Sequence, residues 1–188
     1  MALANYLPTT CKTVPGNRNK LYVAPASAVT AMAETSGEIS TFTATNDAFK
    51  IVKADFDSVV YTHEGTFKTV GAYTQNLAMR LTNASPKSLN ALLDELTPLV
   101  ACGLSAIWID GNGNCLFAGV SIATKEGDSR PFNQLASSYN SGATLTDENT
   151  QADTVTLTRV SAVRPIPFDA TISATITGGT ATFIDWPA

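Results

Sequence analysis

The chain predicts a mainly β protein of α+β type: an antiparallel β-sandwich or barrel with one major flanking helix. Three observations lead there. In Leu104 to Thr124, LSAIWIDGNGNCLFAGVSIAT, two runs of β-formers flank Asp110-Gly111-Asn112-Gly113-Asn114. Asp-Gly and Asn-Gly pairs tolerate the positive φ angles of a tight turn, so this segment reads as a hairpin turning at Asp110, Gly111, Asn112 and Gly113. One stretch, opened by Ser85-Pro86, has apolar residues at helical spacing. Most of the remaining apolar runs are short, rich in Thr and Val, and bounded by Gly, Pro or Asp.

The elements follow in order. Residues 1–19 contain Pro8, Pro15 and Gly16 and read as an N-terminal arm before a single β-rich domain over 20–188. KLYVA, 20–24, is a short strand that Pro25 ends. Residues 28–34 read as one turn of helix or a loop. Ile39, Phe42 and Ala44 alternate imperfectly in a strand over 39–45. The run 49–61, FKIVKADFDSVVY, is strand-like with a break near Asp55-Phe56-Asp57. From Tyr73 onward the alternation is clean. Tyr73, Gln75, Leu77, Met79 and Leu81 share one parity, and four of the five are large and apolar or aromatic, as a half-buried strand requires.

Ser85 is a natural N-cap, and Pro86 stands at the first helical position, where a missing N–H costs nothing. Leu89, Leu92, Leu93, Leu96 and Val100 form one apolar stripe, Asp94 and Glu95 lie toward the outer side, and Gly103 suits the residue after the C-cap. Pro98 is expected to kink or shorten the last turn. After the hairpin, residues 125–152 read as a long polar loop. Residues 153–163 alternate through Val155, Leu157 and Arg159. Pro165 and Pro167 break that run, ATISATIT at 170–177 reads as another strand, and Gly178-Gly179 turns into a last hairpin over 180–186.

The composition bounds the function. Of 188 residues, 44% are hydrophobic and only 15% charged, so much of the surface is Thr, Ser, Asn, Ala and Gly, or is covered by neighbours. The net charge of -4 and pI of about 4.9 argue against ordinary nucleic-acid binding, which needs basic stripes to neutralise phosphates. No apolar run reaches the roughly 18 residues of a membrane span, and the first residues lack the pattern of a signal peptide. The expectation is a protein that folds in the cytoplasm of the cell that makes it. Cys11, Cys102 and Cys115 form no CxxC pair and read as two small core residues and one N-terminal thiol.

Catalytic patterns are missing from the sequence. The one histidine, His63, reads as an exposed turn residue without an identifiable partner. Asp110, Asn112 and Asn114 imitate the start of a calcium loop, but Cys115 stands where its glycine belongs and Ser121 where its glutamate belongs. Asp55 and Asp57 share a face of an extended chain and suit a solvated edge. No Walker, G-x-S-x-G, HExxH or dinucleotide fingerprint occurs. Asn83-Ala84-Ser85 matches the glycosylation sequon without a secretory signal. Trp108 and Trp186 read as core or interface anchors. The expectation is no enzyme, no metal and no cofactor.

A short arm, a KLYVA strand, an aromatic strand AYTQNLAMRL, the helix SPKSLNALLDEL and then AIWIDGNGNCLFAG occur in that order. In this order the chain resembles the tail tube proteins of tailed bacteriophages over about residues 20–123. The resemblance implies a virion structural protein, assembled in the bacterial host cytoplasm, whose copies form rings stacked into a hollow tube. Neighbouring sheets would join edge to edge, satisfying strand edges that otherwise invite aggregation. Partners would be the chain itself and other phage structural proteins. DNA would be a non-specific passenger, and no membrane insertion is implied. An acidic lumen would repel phosphate, with Asp55, Asp57 and Glu64 as candidate lumen-facing acids. The arm and the polar loop would make contacts between subunits or rings. The alternatives are a capsid decoration or head-fibre protein, and a carbohydrate-binding β-sandwich module.

Overall fold

The computed structural model describes residues 20–45, 48–53, 59–64, 72–82, 86–110, 114–120, 130–140 and 152–177. The strands in chain order are β1 (Lys20–Pro25), β2 (Val29–Thr35), β3 (Glu38–Ala44), β4 (Lys50–Lys53), β5 (Val60–Glu64), β6 (Tyr73–Thr82), β7 (Leu104–Ile109), β8 (Cys115–Ala118), β9 (Gln134–Asn140), β10 (Ala152–Ser161) and β11 (Ile166–Pro167). Helix α1 spans Pro86–Ala101 and α2 spans Ala170–Thr177. A five-stranded sheet runs β11-β8-β7-β1-β4, a four-stranded sheet runs β5-β6-β10-β9, and β2-β3 form a separate hairpin. Among the described residues all strand pairs are antiparallel and no closed barrel forms. The mainly β, α+β expectation holds.

The five-stranded sheet is a middle layer. On one face Leu21, Val23, Val52, Ala106, Trp108 and Ala118 pack with Leu77, Met79, Leu81, Val155 and Leu157 of the four-stranded sheet and with Leu89, Leu92, Leu96 and Val100 of α1. On the other face Tyr22, Ile51, Ile107 and Phe117 pack with Met32, Ile39 and Phe42 of the β2-β3 hairpin and Ile176 of α2. All six residues of β7 are therefore buried. A continuous LSAIWI run, rather than an alternating one, is the sequence expression of two-sided burial.

β2 and β3 close through Ser36 and Gly37, whose φ angles of 56° and 86° fit the two-residue turn between Thr35 and Glu38. β7 and β8 form the expected hairpin, closed by Asp110. The Asp110 N–H donates to the Asn114 carbonyl at 2.9 Å, and Asn114 returns two donors to the Asp110 carboxylate at 2.8 and 2.9 Å. Gly111, Asn112 and Gly113 lie outside the described residues.

Four expectations need correction. ATISATIT is helix α2, not a strand. The Asp169 carboxylate accepts the Ile172 N–H at 2.7 Å as an N-cap, and Ile172 and Ile176 fall on one face at i, i+4. Residues 29–35 are strand β2 rather than helix or loop, paired along β3. The segment 125–152 is not all loop: β9 pairs with β10 from Gln134↔Thr158 to Asn140↔Ala152. Pro98 does not shorten α1, which continues to Ala101, with the Cys102 N–H reaching the Pro98 carbonyl at 3.2 Å. One missing helical bond so near the end is tolerated. Gly103 follows at φ 89°. Ser85 and the 180–186 hairpin lie outside the described residues. β4 and β5, on either side of the break expected near Asp55, belong to different sheets, and residues 54–58 lie outside the described residues.

Gly119 permits a close approach that no side chain allows. It holds φ 123°, and a Cβ there would stand 2.5 Å from the Ser105 Cα and 2.9 Å from the Leu104 carbonyl oxygen. At Gly37, φ is also positive, but a Cβ meets nothing within 4 Å. Gly37→Asn should therefore cost no more than about 1 kcal/mol, while Gly119→Ala should cost well above the ~1–2 kcal/mol of left-handed backbone alone. Urea unfolding of the two variants measures the difference.

Candidate assembly surface

The four-stranded sheet buries one face and exposes the other. Its inner residues follow the parity read from the sequence: Gln75, Leu77, Met79 and Leu81 on β6, and Asp153, Val155, Leu157, Arg159 and Ser161 on β10. Its outer face is set by register. Val60, Ala78, Thr156 and Ala136 form one row across the sheet, and Thr62, Asn76, Thr158 and Gln134 form the next. Arg80, Thr154 and Ser138 lie on one side of these rows, and Glu64, Thr74 and Val160 on the other. Only Glu64 and Arg80 carry charge in this set. The Thr158 hydroxyl donates to the Asn76 Oδ1 at 2.7 Å, which ties two of the outer side chains together. Val60 and Val160 are the large apolar residues left exposed, at 49% and 38%.

The edges of this sheet are β5 and β9, each bonded on one side only among the described strands. Of the three candidate acids, Glu64 is exposed at the end of β5 and paired in register with Thr74. Asp55 and Asp57 lie outside the described residues. His63 stands on edge strand β5 rather than in a turn, with its ring 5.7 Å from that of Tyr73 and 6.1 Å from that of Tyr61.

A buried cation holds one end of this sheet. Arg159 is 1% exposed. Its Nε and Nη2 donate to the Gln75 Oε1 at 2.8 and 2.6 Å, Nη2 also to the Val163 carbonyl at 3.0 Å, and Nη1 to the Arg130 carbonyl at 3.1 Å. The guanidinium lies 5.4 Å from the centre of the Phe132 ring. Gln75 Nε2 donates in turn to the carbonyls of Ser161 and Val163 at 3.1 and 2.9 Å. Burial lowers the Arg159 pKa to about 10, and the group stays charged at neutral pH because its donors are occupied. Sequence reading missed this pair as a site, although Arg159 and Gln75 both fell on apolar parities. A polar residue standing in an apolar parity was the available signal.

Burial shifts other titratable groups toward their neutral forms. It pushes the Cys115 thiol up to about 12 and raises Tyr22 further still, with the nearby Cys115 charge a smaller cause. It raises Tyr61, against lowering by Arg159 and Arg164. Tyr61 stacks on Trp108 at 5.4 Å, and its hydroxyl is buried without a hydrogen bond. Burial also raises Asp153, whose Oδ1 has no partner. Cys115 and Trp108 are core residues as expected, whereas Cys102 is exposed rather than buried. Cys11 and Trp186 lie outside the described residues. Among the described residues no group of three His, Cys, Asp or Glu could hold a metal ion, and no helix is long and apolar enough to cross a membrane.

No protein-family model matches the chain, and no curated protein matches it.

Arg159→Met leaves the Gln75 Oε1 and the Arg130 carbonyl without these donors, so urea unfolding should show a loss of about 3 kcal/mol. Adding Gln75→Leu should cost less than the sum of the two single changes. Alkaline pH should also destabilise. The unfolded chain releases the thiol proton near its ordinary 9.0 and the phenol protons near 10.0, while the fold retains them. The native state then binds more protons, so stability falls as pH rises from about 9 toward 10. Cys115→Ala should flatten the early part of that fall in urea titrations at stepped pH.

Proposed function

We propose that this chain is a virion structural subunit of the tail tube type, whose copies join edge to edge into rings that stack as a conduit for DNA. The observation that supports this reading best is the four-stranded sheet. Its exposed face carries small hydroxyl, amide and methyl side chains, and both of its edge strands are bonded on one side only among the described residues. Placing β9 of one copy beside β5 of the next continues the sheet and satisfies both edges. Such a contact uses two different surfaces, so it repeats around a ring and closes if the rotation allows. A face with few charges offers DNA phosphates little to hold, which suits a passenger. Among the described residues of that face, one acid, Glu64, and one cation, Arg80, carry charge.

The carbohydrate-binding alternative has less support, because Trp108, one of its two aromatic candidates, is 1% exposed and stacked on Tyr61. A capsid-associated role uses the same kind of surface and is separated by experiment.

Negative-stain images and sedimentation of the purified full chain over rising concentration test the proposal. Rings or tubes are expected. A monomer that persists at high concentration contradicts it, and binding to capsids without self-assembly favours the decoration role. Val60→Lys, on edge strand β5, should shift assembly to higher concentration while leaving the thermal midpoint unchanged.

A further inference from the structure

Three of the chain's five arginines meet at one end of the four-stranded sheet, in a protein of net charge -4. Arg159 is the buried one. Every acceptor it reaches is neutral: the Gln75 Oε1 and the carbonyls of Arg130 and Val163. A buried charge is ordinarily matched by an opposite one, yet among the described residues no carboxylate acts on this guanidinium. The same bonds bring the other two arginines to the spot. Arg130 supplies one of the carbonyls, and Arg164 follows Val163, whose carbonyl is held by both Gln75 and Arg159. Arg130 and Arg164 are exposed, and among the described residues neither forms an ion pair. The Tyr61 phenol, raised by burial against the pull of Arg159 and Arg164, stays protonated at neutral pH and adds no counter-charge.

Arg164 is held in place on both sides. The Val163 N–H donates to the Ser161 Oγ at 3.2 Å. Pro165 biases Arg164 toward extended backbone, and Ile166 is paired with Phe117 of β8. The Arg164 guanidinium lies 5.9 Å from the centre of the Tyr73 ring, and Tyr73 meets His63 edge to face at 5.7 Å. His63 is in register with Gln75, the residue that accepts from Arg159, whereas the neighbouring Glu64 has the opposite parity and lies on the outer face. A guanidinium over a ring keeps its N–H edge available, and that planar fork matches two oxygens of a phosphate. An imidazole supplies an N–H donor in either charge state.

We propose that this end of the sheet binds a phosphate dianion, free or as a monoester, with Arg164 and His63 as the contacting donors and the charge of Arg159 behind them as a standing attraction. Several positive groups without a described carboxylate among them favour a dianion over a single negative charge. The desolvated guanidinium strengthens that preference, because its field is screened less than that of a surface arginine. The proposal needs one copy of the chain and is independent of the tube reading.

His63 is the chain's only histidine, so its imidazole proton resonances report on the site directly. Inorganic phosphate is titrated into the full chain at fixed ionic strength, with chloride as the comparison. The His63 signals should move and saturate with phosphate and stay in place with chloride. Arg164→Gln should weaken the phosphate response about tenfold or more. Arg164→Lys, which keeps the charge without the fork, should fall between that variant and the parent. Arg80→Gln, on the outer face of the same sheet, should change it less than about twofold. Circular dichroism of each variant confirms folding. Methyl phosphate titrated alongside separates the two sources: tighter binding than inorganic phosphate assigns a monoester, and weaker binding assigns the free ion. A drift that never saturates and is common to both salts, an Arg164→Gln variant that binds like the parent, or an equal loss from Arg80→Gln would overturn the proposal. Displacement of phosphate by a DNA oligonucleotide without terminal phosphates would overturn it too, since the arginines would then be reading the diester backbone.

Discussion

A strand buried on both faces commits the layers above and below it, and β7 is such a strand. Its even-numbered residues, Ala106 and Trp108, face the four-stranded sheet and α1, while Ile107 and Ile109 face the β2-β3 hairpin and α2. Each layer packed on the central sheet has one side turned in and one turned out. The outward face of the four-stranded sheet carries alternating Thr, Ala, Asn and Ser because its inward positions already supply the apolar residues. The two-sided sheet thus leaves the outer face of β5-β6-β10-β9, and among the described strands its edges β5 and β9, turned away from the central layer.

The price of that arrangement is a polar cluster inside it. Arg159 occupies a position that the β10 pleat turns inward, where Val155 and Leu157 precede it on the same face. Desolvation of the guanidinium is offset by its bonds to Gln75 and to two backbone carbonyls that have left the regular ladder. The cluster joins β6, β10 and the segments at 130 and 163 at one end of the sheet. Phe132, beneath the guanidinium, exchanges both backbone bonds with Leu104, at 3.0 and 2.9 Å, and so carries the link into the central sheet.

The sequence made the strands with clean alternation legible. Residues 73–81 and 153–161 showed a period of two, and their pairing in register follows. The helix at 86–101 was legible from its apolar stripe, and the 110–114 hairpin from its turn residues. The missed elements had competing signals. Thr and Ile in ATISATIT favour strands by their branching, but the Asp169 cap and the Ile172–Ile176 spacing favour one short helix, and packing against β8 decides for it. β9, QLASSYN, lacks a strongly apolar face because it is an edge strand with most of its described side chains exposed, so composition alone resembles a loop. For the candidate site, parity identified which side chains point outward. Which strands form the edges depends on pairing between segments distant in sequence, which no local pattern encodes.

In the proposed tube, the edges of β5 and β9 find strand partners only between copies. Hydrogen–deuterium exchange of the full chain, dilute and then concentrated, measures this at the backbone amides themselves. The account predicts that amides of β5 and β9 exchange rapidly in dilute protein and become protected on concentration, while those of the central β6 and β10 are protected throughout. Protection of β5 and β9 already complete in the dilute monomer, or exchange there indifferent to concentration, would contradict it.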